Sequence, residues 1–364
     1  MTEKIRNLLI RGLKQEVYPG AVLLVARGED VVLFHNVGNR ALIPKPLPME
    51  KETIFDLASL TKPLATTLAI MKLVDQGLLD LDIAISSLIE PFPWKDKANL
   101  TPRLLLNHSS GLPDWKPFHL ELMQYPTEER KPVVRRLIME GPLHDEPKKV
   151  SLYSDLGFML LEWIIEVITG QDLSSFLNSQ VYQPLGLKDL YLDQINADPP
   201  KQKDVFAATE YCPWRMEIIQ GHVHDENAHA LGGYSGHAGL FGTARDVFTL
   251  TNRLIKIFHG YSSGQLKTET VRTFLSRQEI VPGSTWALGW DTPAEKESSS
   301  GNYFSSSSVG HTGFTGTSVW IDLEKDITVI FLTNRIHPNR SNEKIRDLRP
   351  RLHDVIMREF GYGR

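Results

Sequence analysis

Apolar positions fall into two textures along this chain. Near both ends they run almost without interruption, as in AVLLVAR (21–27), VVLFHN (31–36), TSVWIDL (317–323) and ITVIFLTN (327–334). Such β-rich runs, bounded by turn residues, read as strands buried on both faces. Gly28-Glu29-Asp30 joins the first pair and Glu324-Lys325-Asp326 the second. Ile5, Leu8, Leu9 and Leu13 share one helical face, so residues 3–15 are predicted as an amphipathic helix that Pro19-Gly20 ends, and another is predicted at about 342–360. The economical arrangement is one antiparallel sheet built from both ends of the chain, with the terminal helices packed on it.

Between these ends the spacing becomes helical. Segments 63–76 ending at Gly77, 101–107, 128–139, 155–169 ending at Gly170, 172–181 and 245–259 are predicted helices, separated by Pro- and Gly-containing loops. The serine-rich stretch at 298–308 reads as a polar loop. The predicted fold class is α/β in the α+β sense, an antiparallel sheet flanked by terminal helices plus an inserted all-helical domain. The expected boundaries place 1–70 and 245–364 in the sheet domain and 71–244 in the mainly helical insertion, with the active site between them.

Composition narrows the functional classes. The chain has 364 residues, 41% hydrophobic and 23% charged, enough for a large core and two or three domains. Forty Lys and Arg against 44 Asp and Glu leave a formal net charge of −4, which gives no field for gripping nucleic acid. Cys212 is the single cysteine, so an intrachain disulfide and a thiolate metal cage are both ruled out, and a small buried side chain is expected there. Charges at Glu3, Lys4, Arg6, Arg11, Lys14 and Glu16 interrupt any signal-peptide core. No run approaches the ~20 apolar residues of a membrane helix. A soluble, cytoplasmic protein with no membrane partner is expected, exported only if a leader is missing from this sequence. The oligomeric state stays open.

Three patterns compete for the chemistry. Gly260-Tyr261-Ser262-Ser263-Gly264 matches the GxSxG elbow, but a helical stretch precedes it where an elbow needs a strand, so it reads as a turn. SxxK occurs at Ser59-Leu60-Thr61-Lys62 and at Ser341-Asn342-Glu343-Lys344. The second reads as a helix cap. In the first, Lys62 lies one helical turn from Ser59 on the same side, where a desolvated amine can take the proton of a serine hydroxyl. Taken alone, a capped helix start with a solvated lysine is the simpler reading of that pattern. Pro63 is tolerated there because the first helical turn leaves its N–H groups unpaired.

Two more segments change the balance. Tyr153-Ser154-Asp155 opens an apolar helix, and His311-Thr312-Gly313 is read as opening a buried strand. With SxxK, their order and separation resemble the serine β-lactamase and penicillin-binding-protein superfamily, in which SxxK, YxN and KTG or HTG converge on one acyl-transfer cleft. LLLNHSSGLPDW (104–115) is similar to another stretch of that family, so the resemblance spans nearly the whole chain. It is nearest the class C β-lactamase-like branch, which also holds D-peptidases and carboxylesterases. The resemblance implies a β-lactamase/transpeptidase-like fold, with Ser59 as nucleophile, Lys62 as its proton partner and Tyr153 as a second base or acid. It implies an oxyanion hole from the main-chain N–H groups of Ser59 and Phe314, and substrate contacts from Asp155, His311, Thr312 and Gly313. No cofactor and no metal are implied, and the partner is a small-molecule or peptide substrate.

Physical chemistry sharpens some of these roles. Tyr and Lys titrate near 10, so an adjacent pair is expected to share one mobile proton. Gly313 is expected to keep a side chain out of the substrate's way. His311 stands where β-lactamases usually carry Lys, which predicts recognition of an anionic terminus that depends on pH near about 6–7. Asp155 replaces the Asn of YxN and cannot donate an amide hydrogen bond. It is expected either to hold Lys62 protonated or to receive a substrate amine.

His222, His224, Asp225, Glu226, His229 and His237 form the densest ligand-capable stretch. It has no HExxH spacing and resembles stretches in homologues of this branch that include peptidoglycan-turnover proteins, so a cleft-lining loop is expected. The expected activity is a serine hydrolase, an esterase, D-peptidase or β-lactamase, forming an acyl-enzyme on Ser59 from an ester or amide. The alternatives are a non-catalytic binding or sensor protein for cell-wall fragments, and a metal-dependent hydrolase using the 222–237 histidines.

Overall fold

The computed structural model describes residues 2–89, 95–195, 201–261, 264 and 266–363. Its strands are β1 Gly20–Arg27, β2 Asp30–Ala41, β3 Leu47–Pro48, β4 Phe55–Asp56, β5 Tyr191–Leu192, β6 Tyr211–Cys212, β7 Glu217–Ile218, β8 Leu240–Gly242, β9 Val309–Thr312, β10 Ser318–Asp322 and β11 Ile327–Thr333. Its α-helices are α1 Thr2–Lys14, α2 Thr67–Asp75, α3 Pro102–Leu106, α4 Phe118–Leu122, α5 Thr127–Glu140, α6 Asp155–Thr169, α7 Leu173–Leu177, α8 Glu226–Ala230, α9 Ala244–Phe258, α10 Thr268–Leu275 and α11 Ile345–Glu359.

The main sheet is antiparallel, in the order β3-β2-β1-β11-β10-β9. Its centre is the pairing of the two chain ends, β1 against β11 from Ala21↔Thr333 to Arg27↔Ile327. Because successive side chains point to opposite faces, the uninterrupted apolar runs feed two cores. Leu23, Val25, Val329 and Phe331 pack under Ile5 and Leu9 of α1 and Leu352 and Ile356 of α11. Val22, Leu24, Ile330 and Leu332 face the other way, into the core that includes Leu250 and Leu254 of α9. Burying each such side chain contributes about 1.5–3 kcal/mol.

The element that positions most of the site is α6. Ser154 caps its start by accepting from Gly157 N–H at 3.3 Å, and Gly170, at φ 67°, ends it. Its body is buried almost all round, Trp163 included. Cys212 is buried as well. Among the described residues no helix is long and apolar enough to cross a membrane.

Several local expectations are corrected. His311 and Thr312 are the last two residues of β9, so the third motif closes a strand. The SxxK segment is no uniform α-helix: a 3₁₀ turn, Ala58–Leu60, leads into a π-helical turn, Lys62–Thr66, before α2. The 172–181 helix likewise passes from α7 into a π turn at Asn178–Tyr182. Ser341 is no cap, since α11 starts at Ile345 with Lys344, three residues after Ser341, at its N-cap. The region between the chain ends is not all-helical: β4, β8 and β5 form a small sheet, and β6 and β7 a hairpin. Ser262 and Ser263 of the GxSxG match lie outside the described residues.

Candidate active site

Ser59 sits on the 3₁₀ turn that follows β4. The preceding residue, Ala58, is held at φ 49°, a left-handed backbone that costs a non-glycine residue about 1–3 kcal/mol. Side chains hold it there. Asp56 Oδ1 accepts from the Ala58 N–H at 2.8 Å, and the Thr61 hydroxyl donates to the Ala58 carbonyl at 2.6 Å.

Lys62 is wholly buried, with its ammonium surrounded by acceptors. Nζ is 2.7 Å from Asp155 Oδ1, 3.2 Å from the His237 carbonyl and 3.2 Å from Ser59 Oγ. An ammonium has three N–H donors and no lone pair. A carbonyl and a carboxylate can only accept, so the third N–H points at Ser59 Oγ. Burial pushes the Lys62 pKa down, but Asp155 and Tyr153 outweigh it and raise it above the ordinary value.

Tyr153 packs its ring 4.7 Å from Lys62 Nζ, and its hydroxyl interacts with both Lys62 and Ser59. Burial raises the phenol's pKa more strongly than the Lys62 charge lowers it. Lysine and tyrosine therefore each keep a proton at rest, which corrects the expectation of one shared between them. With Lys62 donating to Ser59 Oγ, the serine's own proton is left to point at Tyr153.

The 104–115 stretch holds this tyrosine. His108 Nδ1 accepts from the Ser154 N–H at 3.0 Å and the His108 carbonyl from the Leu152 N–H at 2.9 Å. The Pro113 carbonyl accepts from the Ser154 hydroxyl at 2.6 Å, and the Asp114 carbonyl from the Asp155 N–H at 2.8 Å. Burial, with Lys62 and His311 nearby, keeps His108 neutral, its pKa well below the ordinary value. Sequence reasoning used this stretch only as a resemblance and missed the role of His108.

The HTG turn closes the other wall. Thr317 and Thr315 hydroxyls donate to the Leu57 and Asp56 carbonyls at 3.0 and 2.8 Å, pinning the 313–317 turn to the nucleophile turn. A Cβ on Gly313 would lie 2.6 Å from the Leu57 carbonyl oxygen and 2.1 Å from Thr317 Oγ1. Glycine is required there by the close approach of protein to protein. Phe314 is half-exposed, its ring stacked on His224 at 5.5 Å with the Arg335 guanidinium 5.0 Å away.

His311 is buried, and its Nδ1 meets the Thr312 carbonyl at 2.9 Å, so Nδ1 carries the hydrogen. Burial first, then Lys62, lowers its pKa to about 3. At pH 6–7 it is a neutral imidazole, which overturns the expected titration of anion recognition. The positive charge comes from residues that sequence reasoning did not single out. A cleft of about 390 Å³ is lined by Ser59, Tyr153, His311, Thr312, Gly313 and Phe314, and also by Trp286, Asp291, Arg335 and Arg349. Arg349 is fully buried with its pKa lowered to about 10 by desolvation and by Arg335, and burial lowers Arg335 as well. Neither guanidinium makes a salt bridge among the described residues. No local spacing marks them, and only the fold brings them to Ser59. A larger hollow of about 780 Å³ beside α1 shares only Arg335 with this cleft and holds none of the nucleophile machinery.

The histidine-rich stretch does not converge on one point. His222 Nδ1 lies 3.8 Å from Asp193, His224 Nε2 3.3 Å from Glu210 and His237 Nε2 3.0 Å from Asp225, while His229 packs edge-on against Trp214. The donors that do gather, with atoms within 4.8 Å of one another, are Asp155, Asp225 and His237, and Lys62 already sits against Asp155. His224 instead braces the nucleophile turn, its main-chain N–H donating to Asp56 Oδ2 at 2.7 Å.

The family model described as Beta-lactamase matches residues 5–352. The chain is 33% identical over 351 residues to an N-acetylmuramyl-L-alanine amidase of Bacillus subtilis (strain 168), covering 88% of this chain and 78% of that protein. It is 32% identical over 370 residues to a putative D-alanyl-D-alanine carboxypeptidase of Escherichia coli (strain K12), covering 91% and 82%. Among solved structures, EstCE1, a hydrolase with promiscuous acyltransferase activity, superposes with a TM-score of 0.72 at 24% identity, covering 96% of this chain and 98% of that one. The octameric penicillin-binding protein homologue from Pyrococcus abyssi also gives 0.72, at 21% identity, covering 98% and 77%. These two likenesses show the fold.

Proposed function

This chain belongs to the beta-lactamase family and is a hydrolase of the β-lactamase/penicillin-binding-protein type, and from that premise we propose that it cleaves an amide of a cell-wall-derived peptide through an acyl-enzyme on Ser59. The observation that carries the reading is the contact of Ser59 Oγ with the buried Lys62 ammonium at 3.2 Å, at the floor of a cleft that Tyr153 also lines.

Ser59 Oγ attacks the carbonyl carbon. Its proton passes to the Tyr153 oxygen as the phenol gives its own proton to the leaving nitrogen, so no free phenolate is needed. The carbonyl oxygen takes up negative charge and is held by the main-chain N–H groups of Ser59 and Phe314. Collapse of that intermediate breaks the C–N bond and releases the amine. Water then attacks the ester through the same relay in reverse and frees Ser59 and the acid. Lys62 stays an ammonium and stabilises charge developing on Ser59 Oγ.

The amide preference rests on two supports. The two curated relatives above are named for an amidase and a carboxypeptidase of that chemistry. The guanidiniums of Arg335 and Arg349, which hydrogen-bond only main-chain carbonyls among the described residues and line the cleft, suit a substrate bearing a carboxylate. The test is a panel of muramyl-peptide amides, D-alanyl-D-alanine peptides, p-nitrophenyl esters and a chromogenic cephalosporin, assayed with wild type and Ser59→Ala. Cleavage of a cell-wall amide that vanishes in Ser59→Ala is expected. Turnover that survives in Ser59→Ala, or no turnover of any of them, contradicts the reading.

A further inference from the structure

Asp225 and His237 take no part in that relay, yet they pair with each other beside Asp155. Asp225 caps α8, accepting from the Ala228 N–H at 2.8 Å, and its Oδ1 is 3.0 Å from His237 Nε2. His237 is buried, and its Nδ1 has no hydrogen-bond partner among the described residues. Polar atoms of His237, Asp225 and Asp155 lie within 4.8 Å of one another. His237 also reaches Lys62 directly, through its carbonyl.

We propose that His237 and Asp225 are positioning residues that hold Asp155 and the His237 carbonyl against Lys62, fixing its ammonium with one N–H on Ser59 Oγ so that the serine proton leaves only through Tyr153. This rests on the reading of Ser59 as nucleophile. The argument is one of charge order. With His237 protonated, Lys62, Asp155, His237 and Asp225 alternate in sign and the buried group is balanced. Without His237, a carboxylate in place of the family's Asn would sit near a second carboxylate with one ammonium to balance both. Burial opposes a charge on His237, but Asp225 and Asp155 raise its pKa above the ordinary value. The remaining groups facing the chain are Tyr153, His108 and His311 around Lys62, and His224 and Arg215 around Asp225. His108 and His311 are held neutral by burial, so they do not upset that balance. The same three donors suit a divalent cation in number and type. A cation there would share Asp155 with an ammonium 2.7 Å from it, and the ammonium already supplies the positive charge.

The test measures the rate at which a fluorophosphonate modifies Ser59 from about pH 5 to 10, in wild type, Asp225→Asn, His237→Gln and Asp225→Glu. Asp225→Asn keeps an acceptor for the α8 cap and removes only the charge, so the fold is preserved. Modification of Asp225→Asn and His237→Gln is expected to be about 10–100-fold slower, with an alkaline limb entering the top of that range that wild type, whose Lys62 titrates above it, does not show, because Lys62 loses its proton earlier. Asp225→Glu is expected to restore most of the wild-type rate and limb. Wild-type rates and limb in Asp225→Asn and His237→Gln, with wild type modified at Ser59, overturn this proposal alone. So does a wild-type rate that falls with a chelator and returns with zinc. No modification of wild type overturns the nucleophile reading, and this proposal with it.

Discussion

Arg349 carries a full charge into the interior, and the only described acceptor near its head is the Thr317 carbonyl at 3.5 Å from Nη2. A desolvated guanidinium left so poorly paired gains most from an anion that arrives in the cleft. Arg349→Ala is expected to lower kcat/KM for a carboxylate-bearing substrate about 10–100-fold, the worth of one charge-assisted hydrogen bond, and to leave a neutral p-nitrophenyl ester within about twofold. Equal losses on both substrates would show that Arg349 does not read the carboxylate. The neutral imidazole of His311 adds no inflection near pH 6–7 to that recognition. Its Nε2 has no partner among the described residues and, with the hydrogen on Nδ1, carries a lone pair that is open as an acceptor.

At the scale of elements, two turns make the site and each is useless without the other. The turn after β9 is pinned by Thr315 and Thr317 to the strained turn that carries Ser59, and Gly313 fits between them because it has no Cβ. Gly313→Ala is expected to push these turns apart, slowing fluorophosphonate modification of Ser59 by at least about 100-fold while costing about 1–3 kcal/mol in denaturant unfolding. An alanine variant modified at the wild-type rate would contradict that coupling. This pairing of turns also marks where the sequence stops being legible. The terminal hairpins were readable because strands buried on both faces are apolar throughout, and α6 was readable from its cap and its αL glycine. The sheet of β4, β8 and β5 was not, because strands of two or three residues have no periodicity to detect. His311 looked like the start of a strand because the longer apolar run follows it. Ser59, Tyr153 and Gly313, from the three motifs, line one cleft with Lys62 buried against Ser59, whereas Arg335 and Arg349 reach that cleft, and Asp225 and His237 the surroundings of Lys62, only through long-range packing that no local spacing encodes.

Across the whole molecule, the buried histidines set the response to acid. His311 and His353 are lowered to about 3 and His229 to about 4, mainly by burial, and His108 lies well below its ordinary value. The unfolded chain takes up these protons near pH 6.5. Below that pH it binds more protons than the native state, so stability falls as pH drops from about 6.5 toward 3. Glu210, lowered to about 2, and Asp225 act in the same direction at the acid end. Asp56 and Asp291, raised to about 6 by burial, and Asp246, His222 and His237, with raised pKa values, act against it but are outnumbered once His35 and His337, both lowered by burial, are added to the first group. A denaturant midpoint lower at about pH 4.5 than at pH 7 is expected at constant ionic strength; an equal or higher one contradicts the burial of neutral imidazoles. All of this chemistry converges on one oxygen atom. Peptide mapping by mass spectrometry after treatment with a fluorophosphonate tests it most directly. One phosphonyl group on the peptide containing Ser59, absent from Ser59→Ala, is the predicted result. An unmodified Ser59 in the folded protein, or an adduct that persists in Ser59→Ala, would contradict it.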